Sequence, residues 1–289
     1  MDYSVGCPLV TPFDDDGRLD TESLAALVEH LVDRGVDRLV PCGTTGEFAA
    51  LTDEERRRVI ETTVEAADGA TVMAGVGGTA VADVRDRIQS AAEAGADSAL
   101  VVAPYYGGQA SPEGNERFLD AVAAGADLPL YLYNIPSAAG QSISAETVVS
   151  LAERGRYDGI KDSSGDLTYF DEVVARTPDS FAVLQGWDAQ YVPSLVMGGD
   201  GCIGAGTHLF PEAFTTAAQA VADGDIDAAR TKQFEEIDST FHACLDYGFA
   251  TVCKSVLAER GVIRTDAVRP PLVALDAEDR QVLLADLDG

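Results

Sequence analysis

The sequence predicts a (β/α)8 barrel with a C-terminal helical extension. Two observations carry that prediction and a third supports it. Short apolar, β-branched segments alternate with longer amphipathic ones, and eight such segments fall before residue 224. Strand–helix alternation implies βαβ units and a parallel sheet, and eight units close into a barrel. Past residue 224 the apolar strand-like segments stop and only helical patterns follow. A doubly wound open sheet usually brings a GxGxxG after its first strand, and none is present.

The strands are expected at 3–10 (YSVGCPLV), 38–42 (RLVPC), 71–76 (TVMAGV), 98–103 (SALVVA), 129–134 (PLYLYN), 157–161 (YDGIK), 181–185 (FAVLQ) and 200–204 (DGCIG). The first helix is expected in TESLAALVEHLVDRG, whose Leu24, Leu27, Val28, Leu31 and Val32 share one face. Thr21 is its expected N-cap, and Gly35 ends it. The joints GVDRLV (35–40) and GADSAL (95–100) repeat one pattern, a glycine C-cap before the next strand. Beyond the barrel, 225–245, 247–261 and 276–287 read as three helices. The expected division is therefore a catalytic barrel over 1–223 and a three-helix extension over 224–289.

An apolar content of 46% is enough for a large core, and the net charge is -29. That charge repels nucleic acid and anionic membranes, so neither is an expected partner. The acid sits in surface-like helical segments such as 51–69, which suits a protein adapted to molar salt, where screening shortens self-repulsion. An acidic interaction surface is the alternative. The five cysteines show no CxxC and no disulfide-like spacing, as expected in a reducing compartment. The N-terminus lacks the basic and apolar regions of a signal peptide, and no apolar run is long enough to span a bilayer. A soluble, cytoplasmic protein is expected.

In such a barrel the reactive groups belong at the C-terminal ends of the strands. Lys161 ends the sixth apolar segment, in a chain with only three lysines against 17 arginines. It could reach solvent or pair with Asp162. It could also act as a nucleophile, since a desolvated lysine loses its proton and attacks a carbonyl where arginine cannot. GTTGE (43–47) follows the second strand and reads either as a capped glycine turn or as a cradle of N–H groups for a carboxylate. Tyr105 and Tyr106 end the fourth strand, for packing or for chemistry. Alternation turns Tyr131 and Tyr133 to one side of the fifth strand, where a hydroxyl is either buried and bonded or relays protons. His30, His208 and His242 are scattered, so no metal cluster is expected, and GxxxxGK[ST] and GxSxG are absent.

PLVTPF (8–13), GTTGE (43–47), YNIP (133–136), GIKDSSGD (159–166) and GDGCIGAG (199–206) occur in an order that resembles the dihydrodipicolinate synthase / N-acetylneuraminate lyase family of pyruvate-dependent class I aldolases. The resemblance implies a (β/α)8 barrel with a helical extension, assembled as a tetramer of two tight dimers. It implies that Lys161 forms the Schiff base, without metal or organic cofactor, and that Tyr133 relays the proton. Thr44 and Thr45 are implied to bind the pyruvyl carboxylate and to link to Tyr133. Tyr106 is implied to enter a neighbouring subunit's site, and the segments holding Gly186 and Ile203 to line the pyruvate pocket.

Dihydrodipicolinate synthases typically place arginine two residues past the proline of YNxP, to grip the aldehyde substrate's carboxylate. Here Ala138 stands there. GAGTHLFPE (204–212) looks more like archaeal 2-keto-3-deoxy sugar-acid aldolases, and sialic-acid lyases usually read GSTGE where this chain has GTTGE. The implied activity is cleavage of a 2-keto-3-deoxygluconate-type acid to pyruvate and an aldehyde. Dihydrodipicolinate synthesis from pyruvate and aspartate semialdehyde is the alternative, and a non-catalytic sugar-acid binding protein a further one. YYGGQ (105–109) has no arginine just after Tyr106 to grip a phosphate, which favours an unphosphorylated substrate.

Overall fold

Eight strands pair with their sequence neighbours: β1 (Ser4–Cys7), β2 (Arg38–Leu39), β3 (Thr71–Gly75), β4 (Ser98–Val102), β5 (Leu130–Asn134), β6 (Gly159–Asp162), β7 (Ala182–Gln185) and β8 (Gly201–Ile203). All pairings are parallel, and β8 returns to β1 through Ser4↔Gly201, Val5↔Cys202 and Gly6↔Ile203. The sheet is thus closed, as the alternation predicts. The computed structural model describes residues 3–106 and 111–288. Gly107–Gln109 of the YYGGQ stretch lie outside the described residues.

The two glycine joints behave as expected, Gly35 and Gly95 taking φ of 86° and 90°. The aspartates near them have a second task, which repeats around the barrel floor. Asp37, Asp97, Asp158 and Asp200 each directly precede an even-numbered strand. Their carboxylates accept the N–H of Val5, Val72, Leu130 and Val183, near the start of the preceding odd strand, at 3.2, 2.8, 3.1 and 2.7 Å. These bonds satisfy donors at the lower rim, the face where barrels build stability rather than catalysis.

Alternation along the strands separates the barrel interior from the layer between strands and helices. Val40, Met73, Leu100, Tyr133, Leu184 and Ile203 fill the barrel interior, and a larger cluster lies between strands and helices. The Cys244, Val252, Cys253, Val256, Leu257 and Leu283 side chains of the C-terminal helices join that larger cluster, together with Leu24 and Leu27 of the first helix. All five cysteines are buried and free. No helix among the described residues is long and apolar enough to cross a membrane.

Several expected boundaries move. β1 stops at Cys7 instead of reaching residue 10, because the chain leaves the ladder at Pro8 and crosses the mouth, where the Val10 N–H donates to His208 Nε2 at 3.0 Å. β2 stops at Leu39, since Cys42 turns the chain with φ of 58°. The cap of the first helix, Thr21–Val32, is Asp20 rather than Thr21, because its carboxylate reaches the Ser23 N–H and hydroxyl at 3.0 and 2.8 Å. The stretch expected as one helix over 225–245 is two, Ile226–Lys232 and Asp238–Tyr247, joined by a π-helical turn at Gln233–Ile237. Gln233 is buried there, and its amide accepts from the Val192 N–H (2.9 Å) and donates to Asp188 O (2.9 Å). The turn thereby aims Gln233 at the loop after β7. The helices Phe249–Glu259 and Ala277–Asp288 fall where the pattern places them.

Candidate active site

Lys161 stands on β6 with Tyr133 of β5 as its cross-strand partner, and its Nζ lies 4.6 Å from the Tyr133 ring centroid. Both side chains are buried, Lys161 being 4% exposed. Asp162 points to the other face and does not pair with Lys161. Its carboxylate accepts from Asn134 Nδ2 (2.8 Å) and the Ser164 hydroxyl (2.8 Å), while Asn134 Oδ1 accepts the Ile143 N–H (3.0 Å). Burial pushes the Asp162 carboxyl up to about 6, against the pull of the Ser164 and Asn134 bonds. The network ties the ends of β5 and β6 together, which fixes Tyr133 against Lys161.

A cavity of ≈ 200 Å³ opens at this end of the barrel, and Lys161, Tyr133, Thr44, Thr45, Gly186 and Ile203 all line it. Gly186 is there for space. A Cβ on it would sit 2.1 Å from Ser163 Oγ and 2.7 Å from Lys161 Cε. The Gly186 N–H donates to Asp162 O at 2.7 Å, and Ser163 donates to Gly186 O at 3.1 Å. The expected link between Thr44 and Tyr133 is not formed: among the described residues no hydrogen bond joins their hydroxyls, and Thr44 is exposed. Serines join the hydroxyls of the wall, since Ser137 and Ser163 line it too.

Tyr106 is not brought to this cavity. It is 100% exposed and holds a left-handed φ of 66°, while Tyr105 packs edge-on against Phe48 at 6.0 Å. A second cavity of ≈ 210 Å³ adjoins the first across Thr44, Tyr133 and Ile135. Its wall is largely apolar, with Phe48, Leu100 and Val102, and Ala138 lies here. Lys161 is the one charged side chain that lines either cavity among the described residues.

Sequence reasoning missed two buried charges. Asp188, just past β7, is 2% exposed and accepts the Gly206 N–H at 2.7 Å. Burial raises its carboxyl to about 6, while the Gly206 bond and the charges of Lys161 and His208 pull it down. Lys254 is fully buried against Glu47 of GTTGE. Burial lowers its ammonium to about 8, with Glu47 opposing. The WD of 187–188 at a strand end was a legible signal for Asp188, whereas a lysine within a helical pattern reads as a surface residue. His208 is engaged on both ring nitrogens, with Val10 and Ala205, and no group of three His, Cys, Asp or Glu side chains could hold a metal among the described residues.

A closed parallel barrel with a buried lysine at the end of β6, a tyrosine beside it and an adjoining cavity has the layout of a class I, Schiff-base lyase. The chain belongs to the dihydrodipicolinate synthetase family, whose model matches residues 4–288, and is a pyruvate-dependent class I aldolase. A 4-hydroxy-tetrahydrodipicolinate synthase of Natronomonas pharaonis is 38% identical, over 97% of this chain and 96% of its own. One from Exiguobacterium is 35% identical over 100% and 98%. The crystal structure of dihydrodipicolinate synthase from Aquifex aeolicus superposes with a TM-score of 0.92 at 33% identity, covering 100% of this chain and 97% of that one. A prophage protein of the family from E. coli K12, solved in complex with pyruvate, gives 0.93 at 30% identity, covering 99% and 97%. These relatives carry the synthase name where one is given, and none of them is named as a 2-keto-3-deoxygluconate aldolase.

Proposed function

We propose that the protein cleaves and forms 2-keto-3-deoxy acids of the gluconate type, releasing pyruvate and an aldehyde without a carboxylate. The observation that carries this is the lining of the two cavities, in which Lys161 is the one charged side chain among the described residues, and Ala138 takes the position at which the family resemblance implies an arginine. An aldehyde carboxylate there forgoes a charge-assisted bond worth about 1.5–3 kcal/mol. The uncharged wall around Ala138 and the Ser137 hydroxyl suit a polyol chain instead.

In this reading the Lys161 amine attacks the 2-oxo carbon, and loss of water gives an iminium that draws electrons from C3. Tyr133 accepts the C4 hydroxyl proton as the C3–C4 bond breaks and its electrons pass to the iminium as an enamine. C3 is then protonated and water hydrolyses the iminium, freeing pyruvate and Lys161, and the same groups run condensation in reverse. Thr44 and Thr45 hold the carboxylate. Tyr106, exposed on a strained backbone, completes the site of a second copy within a homotetramer.

Synthesis of 4-hydroxy-tetrahydrodipicolinate from pyruvate and aspartate semialdehyde is the second reading, and the names of relatives that match nearly the whole chain favour it. A panel run on the purified protein separates the two. Pyruvate release from 2-keto-3-deoxygluconate far faster than condensation with aspartate semialdehyde supports the first. Efficient condensation with no sugar-acid cleavage would replace it with the second.

A further inference from the structure

The chemistry above gives Lys254 no task, although burying an ammonium is expensive. It lies on the helix Phe249–Glu259 with 0% exposure. Its Nζ pairs with Glu47 Oε1, donates to Ala267 O at 2.8 Å and sits 4.2 Å from the Phe13 ring centroid. The other Glu47 oxygen accepts the Arg269 N–H at 2.8 Å. The Arg269 guanidinium is bonded to Glu55, Ala50 O and Gly17 O and also lies 4.2 Å from the Phe13 centroid.

A buried ion pair is weak evidence for stability, because desolvation offsets the attraction. What this pair does is geometric. Glu47 closes the GTTGE turn in a left-handed conformation, φ 55°, which side chains with a Cβ rarely hold unaided, and its N–H donates to Thr44 O at 3.1 Å. On the far side of the contact, Ala250 lies one helical turn before Lys254 and lines the Lys161 cavity, as does Leu272, three residues past Arg269. One carboxylate therefore joins three walls of the cavity: the threonine turn, the helix Phe249–Glu259 and the segment that holds Arg269 and Leu272.

We propose that Glu47 and Lys254 are positioning residues for the 2-oxo acid, holding Thr44 and Thr45 where its carboxylate docks and seating Ala250 and Leu272 around it. This rests on the reading of the Lys161 cavity as the pyruvate site. Neither residue touches the reacting atoms, so their loss acts on substrate capture and leaves the chemistry of the bound substrate nearly intact.

The test is borohydride trapping over a range of pyruvate concentrations, for the wild type, Glu47→Gln, Lys254→Met and the double variant. The expected result is a rise of about tenfold or more in the pyruvate concentration for half-maximal trapping, with the limiting rate within about threefold of wild type. The double variant is expected to match the worse single, since one contact is removed twice. Lowered melting temperature with unchanged half-saturation would reduce the pair to a structural staple and overturn the proposal. Should Lys254→Met fail to fold, Glu47→Gln decides alone, because Lys254 can then shed its proton. Wild-type protein that traps no pyruvate removes the pyruvate site itself, and the positioning role with it.

Discussion

Replacing Gly186 by alanine tests the site geometry at its tightest point. The new Cβ would lie 2.1 Å from Ser163 Oγ and 2.7 Å from Lys161 Cε, against the 3.4 Å at which ordinary contact begins. Ser163 can rotate away at the cost of its bond to Gly186 O. Lys161 has less freedom: it is 4% exposed, with Tyr133 on the neighbouring strand, so its Cε must retreat by about 0.7 Å. A misplacement near 1 Å costs about 10²-fold in rate when a nucleophile must meet its carbon in line. Gly186→Ala is therefore expected to trap pyruvate about 10²-fold more slowly under borohydride while keeping the wild-type circular dichroism. Adding Ser163→Ala relieves the hydroxyl clash and leaves the clash with Cε, so the double variant stays slow. Wild-type trapping rates in Gly186→Ala would refute the claim that Lys161 reacts from the position described.

Tyr133→Phe is expected to retain the pyruvate adduct and lose turnover by about 10²-fold or more, as measured by pyruvate release; near-normal turnover assigns the proton transfer elsewhere. Melting temperature is expected to rise from low to molar salt, because screening relieves the repulsion of a -29 charge, and a flat or falling curve removes the halophilic reading. Asp188 supplies a pH test. Its carboxyl titrates near 6 in the folded protein against the ordinary 3.8, so the folded state holds the extra proton between those values and loses stability as pH rises through that window. Asp188→Asn does not titrate, so its melting temperature relative to wild type should climb from pH 4 to 6 and then level, by the equivalent of roughly 2–3 kcal/mol. A difference that is flat across that window shows that Asp188 keeps an ordinary carboxyl.

The fold was legible because its signals are periodic and local. Eight apolar segments, glycine caps at Gly35 and Gly95, and same-side tyrosines on β5 each follow from spacing alone, and each stands in the structure. Strand ends were less legible where a single residue redirects the chain, as Cys42 does after β2. The aspartate preceding every even strand was visible as a repeat, but its partner lies one strand away and 17 to 32 residues off in sequence, beyond any local pattern. Lys161 was legible for its scarcity and strand-end position. Lys254 was equally scarce, yet its ion pair spans 207 residues between helix and turn, and the helical pattern gave no sign of burial. The resemblance implies Gly186 as a wall of the pocket, and only the fold explains why it has no side chain.

Of the three lysines, Lys161 alone is assigned the Schiff base. Incubation with pyruvate and borohydride, followed by peptide mass mapping, tests it most directly. The predicted result is a single N-carboxyethyl lysine at Lys161, with Lys232 and Lys254 unmodified and activity lost in step with labelling. An adduct on either of the other two, or inactivation without any adduct, would exclude Lys161 as the nucleophile.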